Sequence, residues 1–234
     1  MSVIREDRRL ATDRFYAILD ELTERLGGPR LLKDCTQADG WPQYGVEFFL
    51  EDGQVRAGEN RLRVVRVGSH ALRATSQATF WTRLTQHRGP VSGSKVGVGN
   101  HRGSIFRQHV GSALLQTGQW SAEVEMSWGQ RKVSPAQREA EYPLERAVSE
   151  RIGAMPLLWL EVPEREQRIF IRANSIALLS RCTGGTRPIS PGWLGLDARN
   201  ENVRRSGLWN SEHVDDPYDP AFLDVMEARL RLQS

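Results

Sequence analysis

Apolar residues recur at helical spacing from about Arg8 to Leu26, where Leu10, Ile18, Leu22 and Leu26 share one stripe with Phe15 and Leu19 beside it. Gly27, Gly28 and Pro29 end that helix by capping it and removing a backbone donor. The pattern then changes to strand. Tyr44 to Leu50 and Leu62 to Val67 are rich in Val, Phe and Leu, and the Asp52-Gly53 and Ala57-Gly58-Glu59 signals between them predict an antiparallel hairpin with a long loop. Gly68 closes the second strand, where a missing side chain permits close approach.

Helical spacing returns over Ala78–His87, Ser104–Leu115 and Pro143–Ile152. The nearly continuous apolar run Met155 to Val162 predicts a buried strand, central in the sheet and closed by Pro163. Glu164 to Ser180 follows as a helix that offers Ile169, Phe170, Ala173, Ile176, Ala177 and Leu179 to the core, and Cys182 to Gly195 reads as irregular surface chain. Asp219 as N-cap and Pro220 at the first helical position begin a last amphipathic helix through Leu223, Met226 and Leu230.

These elements predict an α+β fold, a small antiparallel sheet flanked by helices, with N- and C-terminal helical additions. The partition is an N-terminal extension over 1–40, a central domain over 41–185, and a loop and helix over 186–234 packed on that domain. The length of 234 residues suffices for a core without disulfides. Cys35 and Cys182 are far apart, so neither a disulfide framework nor a thiolate zinc site is indicated. A net charge of +3 weakly favours an anionic partner. No apolar run approaches the roughly 18 residues that span a bilayer. The expectation is a cytoplasmic protein without a membrane partner.

Candidate chemistry sits between the second strand and the following helices. Arg83 and His87 are one helical turn apart, so a guanidinium and an imidazole share a face suited to an anion, although a solvated surface is the commoner origin of such a pair. The Gly/Ser-rich stretch from Arg88 to Gly103 supplies Arg88, Lys95, His101 and Arg102, and the next helix adds Arg107 and His109. Glycine-rich backbone and basic side chains both donate to phosphate oxygens, and the same composition describes a solvated loop. His101 and His109 have no third ligand for zinc, and Gly97-Val98-Gly99 lacks the Gly-Lys-Ser/Thr of a nucleotide P-loop. The run Trp209 to Asp216 could fold back to bring Asn210 or His213 to a site, but reads more simply as a solvated turn before Pro217.

From Tyr44 to Gly185 the order strand, strand, Arg-bearing helix, central strand, helix resembles the GIY-YIG nuclease superfamily. Gly45-Val46-Glu47 stands at the first signature triplet and Arg66-Val67-Gly68 at the second. Arg83 matches the catalytic arginine of the family, and His87 the Tyr or His one turn later. The resemblance implies hydrolysis of a nucleic-acid phosphodiester, first of all DNA, by one divalent ion, magnesium or manganese, held by a glutamate. The arginine would stabilise charge on the scissile phosphate. Glu47 and Arg66 replace the two signature tyrosines, and Arg172 stands where the metal-binding glutamate is expected. The metal ligand is therefore unassigned; Glu161, Glu164 and Glu166 enter only with a shifted alignment, while Glu47 could place a carboxylate beside Arg83.

Two readings follow. One is a metal-dependent endonuclease with an altered active centre, resembling the restriction-enzyme branch of the superfamily. The other is a catalytically silent module of the same fold that binds nucleic acid or protein. In the nuclease reading Arg83, His87, Glu47 and Arg66 form the catalytic centre, and Arg88, Lys95, His101, Arg102 and Arg107 line the nucleic acid; in the binding reading basic residues such as Arg102 and Arg107 supply phosphate contacts. A structural subunit with Trp193 or Trp209 at its contact surface is a third possibility, less common than local packing of each indole. Oligomeric state is left open.

Overall fold

Four antiparallel strands form one sheet, ordered β1-β4-β2-β3 from Arg30–Leu31 (β1), Gly45–Val55 (β2), Leu62–Ser69 (β3) and Pro156–Glu161 (β4). The coordinates are a computed structural model that describes residues 2–56, 58–73, 75–183 and 189–233. The predicted segment around Gly184-Gly185 and Pro188, and with it the proposed boundary between 185 and 186, lies outside the described residues. β4 is an inner strand, in keeping with its unbroken apolar sequence. Its neighbour β1 is a two-residue edge strand, too short to show any periodicity in the sequence.

Side chains alternate across this sheet and bury two separate cores. Val46, Phe48, Leu50, Val64, Val67, Leu158 and Leu160 point to one face. There they meet Phe15, Ile18, Leu19 and Leu22 of α1 (Ser2–Arg25), Ile171, Ile176 and Leu178 of α7 (Arg165–Leu179), and Phe222, Met226 and Leu230 of α9 (Ala221–Leu232). The predicted α1 stripe holds except at its N-terminal end. Leu10 is exposed, because the buried stripe begins one residue later at Ala11. In α7 Ile169 is likewise turned outward, and Ile171 takes the core position.

Phe49, Val65, Leu157 and Trp159 occupy the opposite face. They pack on Phe80 and Leu84 of α2 (Phe80–Arg88), Phe106, Val110 and Ala113 of α3 (Ile105–Gln116), and Leu144, Val148 and Ile152 of α6 (Tyr142–Gly153). Three short helices that the periodicity did not announce, α4 (Ala122–Ser127), α5 (Pro135–Ala140) and α8 (Glu201–Ser206), complete the described helices. Each spans under two turns, too little for an apolar stripe to repeat.

The β2–β3 hairpin departs from the predicted long loop. β2 continues through Asp52-Gly53 to Val55, where Gly53 adopts a positive φ, so the turn signals sit inside an irregular strand. A register shift pairs Phe49 with Arg66 and Leu50 with Val64, leaving Val65 as an extra residue. This bulge puts Val65 and Arg66 on the same face of the sheet.

The far edge of β3 is covered by chain from near the C-terminus. Trp209 N–H donates to Val65 O at 2.7 Å, and the Asn210 side chain accepts from Val67 N and donates to Val67 O at 3.0 and 2.8 Å. The start of the Trp209–Asp216 run is thus a buried edge cover and not a solvated turn; Asn210 satisfies backbone groups that would otherwise template aggregation. Trp193 and Trp209 are also buried, and both indole N–H groups donate to Glu51 Oε2, at 2.8 and 3.0 Å. Neither indole lines an outer surface.

Candidate active site on the α2 face of the sheet

Glu47 stands directly opposite Gly68 on β3 and Trp159 on β4. A Cβ at position 68 would lie 2.0 Å from Glu47 Oε1, so the last residues of the two signature triplets are packed against each other. The glycine is required here by the carboxylate lying over it. Arg66, turned to this face by the bulge, lies with its guanidinium 4.5 Å from the centre of the Phe106 ring and donates to Trp209 O at 3.1 Å.

Thr79 caps α2 through Thr82 N–H at 3.1 Å, and the helix carries Arg83 and His87 one turn apart toward the sheet. His87 is completely buried, edge-on to Phe49 and Phe106. Its Nδ1 lies 2.8 Å from Ser104 Oγ, and its Nε2 lies 3.7 Å from Glu47 Oε1. Ser104 already accepts from Arg107 N–H as the cap of α3 and can give its own proton to Nδ1, which leaves the imidazole proton on Nε2, facing Glu47. Arg83 remains partly exposed and donates to Gln86 at 3.2 Å.

The electrostatics of this group are unusual. Burial raises the pKa of Glu47 against the opposing pull of Arg83, Arg66 and Arg172. Burial, then the neighbouring Arg83 charge, lowers Arg66 to about 9, so it is still a cation at neutral pH. Burial lowers Arg83 as well, opposed by Glu47 and reinforced by Arg172, and His87 is held well below the usual histidine value by burial and then by Arg83. Both Glu47 oxygens, His87 Nε2, Arg83 Nε and Arg66 Nε are buried and lack a hydrogen-bond partner. Each such atom costs on the order of 1–3 kcal/mol, and their concentration in one place marks a functional centre better than a stability device.

Arg172, on α7, acts on this centre from the other helical layer; its guanidinium is paired with the exposed Glu212 at 2.8 Å. Sequence reading reached Arg172 only as the occupant of the glutamate position, and Glu212 not at all. The two are forty residues apart and meet because the chain after Asn210 runs along the edge of β3.

The basic residues of the loop are placed differently. Arg107 is completely buried and paired with Glu145 of α6, its Nε and Nη2 donating to Oε2 at 3.0 and 2.6 Å. His101 N and Nδ1 lie 2.7 and 2.8 Å from Glu145 Oε1, and the His101 ring stacks on Trp128. Arg102 is bidentate to Glu141 at 2.7 and 2.8 Å. Arg88 donates to Cys35 O and lies over Trp81, while Lys95, exposed, donates to Tyr142 Oη at 2.7 Å. The structure therefore brings Glu47, Arg66, Arg83 and His87 together, and sets Arg88, Lys95, His101, Arg102 and Arg107 in contacts of their own around the loop. His109, buried beside Arg66, is not near a zinc-like set.

A divalent cation does not fit these residues. Among the described residues no group of three His, Cys, Asp or Glu side chains could hold a metal ion. The centre has one buried carboxylate, Glu47, on which the charges of Arg83, Arg66 and Arg172 act and would oppose a cation, while Glu212 is taken up by Arg172.

Comparison with curated proteins and with solved structures returns no match. The family model for the GIY-YIG domain matches residues 6–234, nearly the whole chain, and covers the sheet, both helical layers and the segment that ends in α9. With its two triplets facing each other across β2 and β3 and Arg83 above them, this chain belongs to the GIY-YIG domain family.

Proposed function

We propose that this chain hydrolyses nucleic-acid phosphodiesters at the centre built from Arg66, Arg83 and Arg172 around Glu47 and His87. The observation that carries this reading is a buried carboxylate and imidazole 3.7 Å apart, with Arg83 one helical turn from His87 and Arg66 on the same face of the sheet, and with Glu47 Oε1 and Oε2, His87 Nε2, Arg83 Nε and Arg66 Nε all buried without a hydrogen-bond partner. Family membership supports it, since the GIY-YIG domain belongs to a nuclease superfamily whose members generally use a divalent metal and bind nucleic acid.

In this reading Arg83 and Arg172, the two partly exposed guanidiniums, meet the non-bridging phosphate oxygens, where negative charge grows during attack by water. Arg66 adds positive charge from beneath. Glu47 is the proton acceptor, and neutral His87 faces it with the proton on Nε2. Lys95 and Arg88, at the rim of the loop, follow the nucleic-acid backbone, while His101, Arg102 and Arg107 hold the loop in place. DNA is the substrate proposed.

The test is cleavage of supercoiled plasmid with magnesium or manganese, alongside Arg83→Ala and an EDTA control. The expected result is nicking by the wild type that falls at least about a hundredfold in Arg83→Ala, the loss typical of removing one charge-stabilising donor. A second reading, a silent binding module, is favoured by one observation: the position of the metal-binding glutamate is Arg172. No cleavage of any DNA or RNA, together with salt-sensitive binding, would establish that module.

No helix among the described residues is long and apolar enough to cross a membrane.

A further inference from the structure

Ser104 is seated between the basic loop and the centre. It is buried, its N–H donates to His101 O at 3.1 Å and its C=O accepts from Gln108 N–H at 3.0 Å, which fixes it at the junction of the turn His101–Gly103 and α3. Glu145 holds that junction by taking His101 and Arg107 together. Among the described residues Ser104 Oγ has two hydrogen-bond partners, Arg107 N–H at 3.3 Å and His87 Nδ1 at 2.8 Å. The first can only donate, so the hydroxyl oxygen accepts there and its proton goes to Nδ1. Were Nδ1 protonated instead, the hydroxyl would accept twice and its own buried proton would have no partner among these residues.

We propose that Ser104 is a positioning residue: its hydroxyl proton, given to Nδ1, fixes His87 in the tautomer that turns Nε2–H toward Glu47, and so ties the seating of the basic loop to the ionisation of that carboxylate. This rests on the reading of Glu47 as the proton acceptor and adds what keeps it able to accept. An N–H aimed at a carboxylate favours its charged form, whereas a bare Nε2 would favour the protonated acid. The 3.7 Å from Nε2 to Oε1 is longer than a hydrogen bond, and catalytic contacts of this length in a substrate-free site commonly tighten on binding. Burial, then the charges of Arg83 on its own helix, Arg66 of β3 and Arg107 of α3, keep the imidazole neutral, so one nitrogen alone carries its proton.

Substitutions at Ser104 separate the proton it gives from the cap it makes. Aspartate at an N-cap still accepts from the helix N–H, and when ionised it has no proton to give, so Ser104→Asp should place a proton on Nδ1. Ser104→Gly, which costs a cap little, removes the donor and should leave both tautomers populated. Threonine keeps the acceptor and the proton, so Ser104→Thr should retain the wild-type tautomer. The experiment is heteronuclear NMR of the full chain with isotope-labelled histidine at neutral pH, the His87 signals being assigned by their loss in His87→Gln. Plasmid cleavage is measured on the same proteins, with circular dichroism to confirm that each is folded.

The expected result is a proton on Nε2 and a bare Nδ1 in wild type and Ser104→Thr, and a proton on Nδ1 in Ser104→Asp. In Ser104→Asp kcat should fall about a hundredfold or more with KM changed little, the size of a general-base contribution, and Ser104→Thr should recover most of that loss. A proton on Nδ1 in wild type, an Nε2 proton unchanged in folded Ser104→Asp or Ser104→Gly, or full cleavage by a Ser104→Asp whose tautomer has reversed would overturn the proposal. The nuclease reading fails separately. The expected tautomers in a wild type that cleaves nothing leave Ser104 as the residue that orients His87 and remove the nuclease, and cleavage with a tautomer indifferent to Ser104 does the reverse.

Discussion

Glu145→Ala is expected to cost about 3–5 kcal/mol of folding stability, the range for removing one partner of a buried ion pair. Glu145 takes four hydrogen bonds on its two carboxylate oxygens, two from Arg107 and two from His101. Burial works to raise its pKa; the hydrogen bond from His101 and the charge of Arg107 outweigh burial and hold it below the usual carboxylate range. Without it, a completely buried guanidinium keeps two backbone acceptors, His87 O and Glu145 O, and no counter-charge. There is no room for Arg107 to leave, since the backbone at Gly99 lies so close that a Cβ there would sit 2.1 Å from Arg107 Cζ.

The same guanidinium donates to His87 O at 2.6 Å, at the end of the helix that carries Arg83. Loss of Glu145 should therefore loosen the candidate active site as well as the loop. Urea unfolding followed by circular dichroism checks this. A change under about 1 kcal/mol would mean that the pair behaves as an exposed salt bridge, contrary to its burial.

Acid should destabilise the fold well before its carboxylates titrate. Burial holds His70 and His109 at about 4 and His87 well below the usual histidine value, while the unfolded chain titrates near 6.5. Between those values the unfolded state binds more protons than the folded state, so stability is full above about pH 6.5 and falls as pH drops toward 4. At about 1.4 kcal/mol for each tenfold loss of proton affinity, His70 and His109 each remove on the order of 3 kcal/mol across that window.

Glu47 acts in the opposite sense, because its pKa is raised: its penalty is present at high pH and is relieved as it takes up a proton. One carboxyl does not offset three imidazoles. Urea midpoints measured from pH 7.5 to pH 4.5 should fall steeply below pH 6.5. A flat profile would show that these histidines reach solvent in the folded state.

The strands and principal helices were legible because their signals are local. Val- and Phe-bearing runs, helical spacing from Ala78, Gly-Gly-Pro and an unbroken apolar stretch mark β2, β3, α2, the end of α1 and β4. Arg83 and His87 were legible for the same reason, as neighbours at one helical turn. What the sequence did not disclose depends on long-range pairing. No local signal marks the bulge at Val65 that turns Arg66 toward Glu47.

The basic loop shows the same limit from another side. His101, Arg102 and Arg107 read as phosphate donors because their partners, Glu141 and Glu145, lie some forty residues on. A usable signal was present: two acids at i and i+4 beside the start of the predicted helix at Pro143, on one helical face. Trp209 and Asn210 were obscured by the acidic residues that follow them, and only the unpaired edge of β3 explains why they are buried.

The central claim is that Arg83 and the charges around it face the nucleic-acid backbone. Its most direct test is fluorescence anisotropy of a labelled DNA duplex with wild type and Arg83→Ala in EDTA over a series of salt concentrations, with circular dichroism to confirm that the variant is folded. The expected result is weaker binding by Arg83→Ala and a salt slope reduced by about one, the signature of a single lost phosphate contact. A folded Arg83→Ala that binds with the same affinity and the same slope would contradict the account.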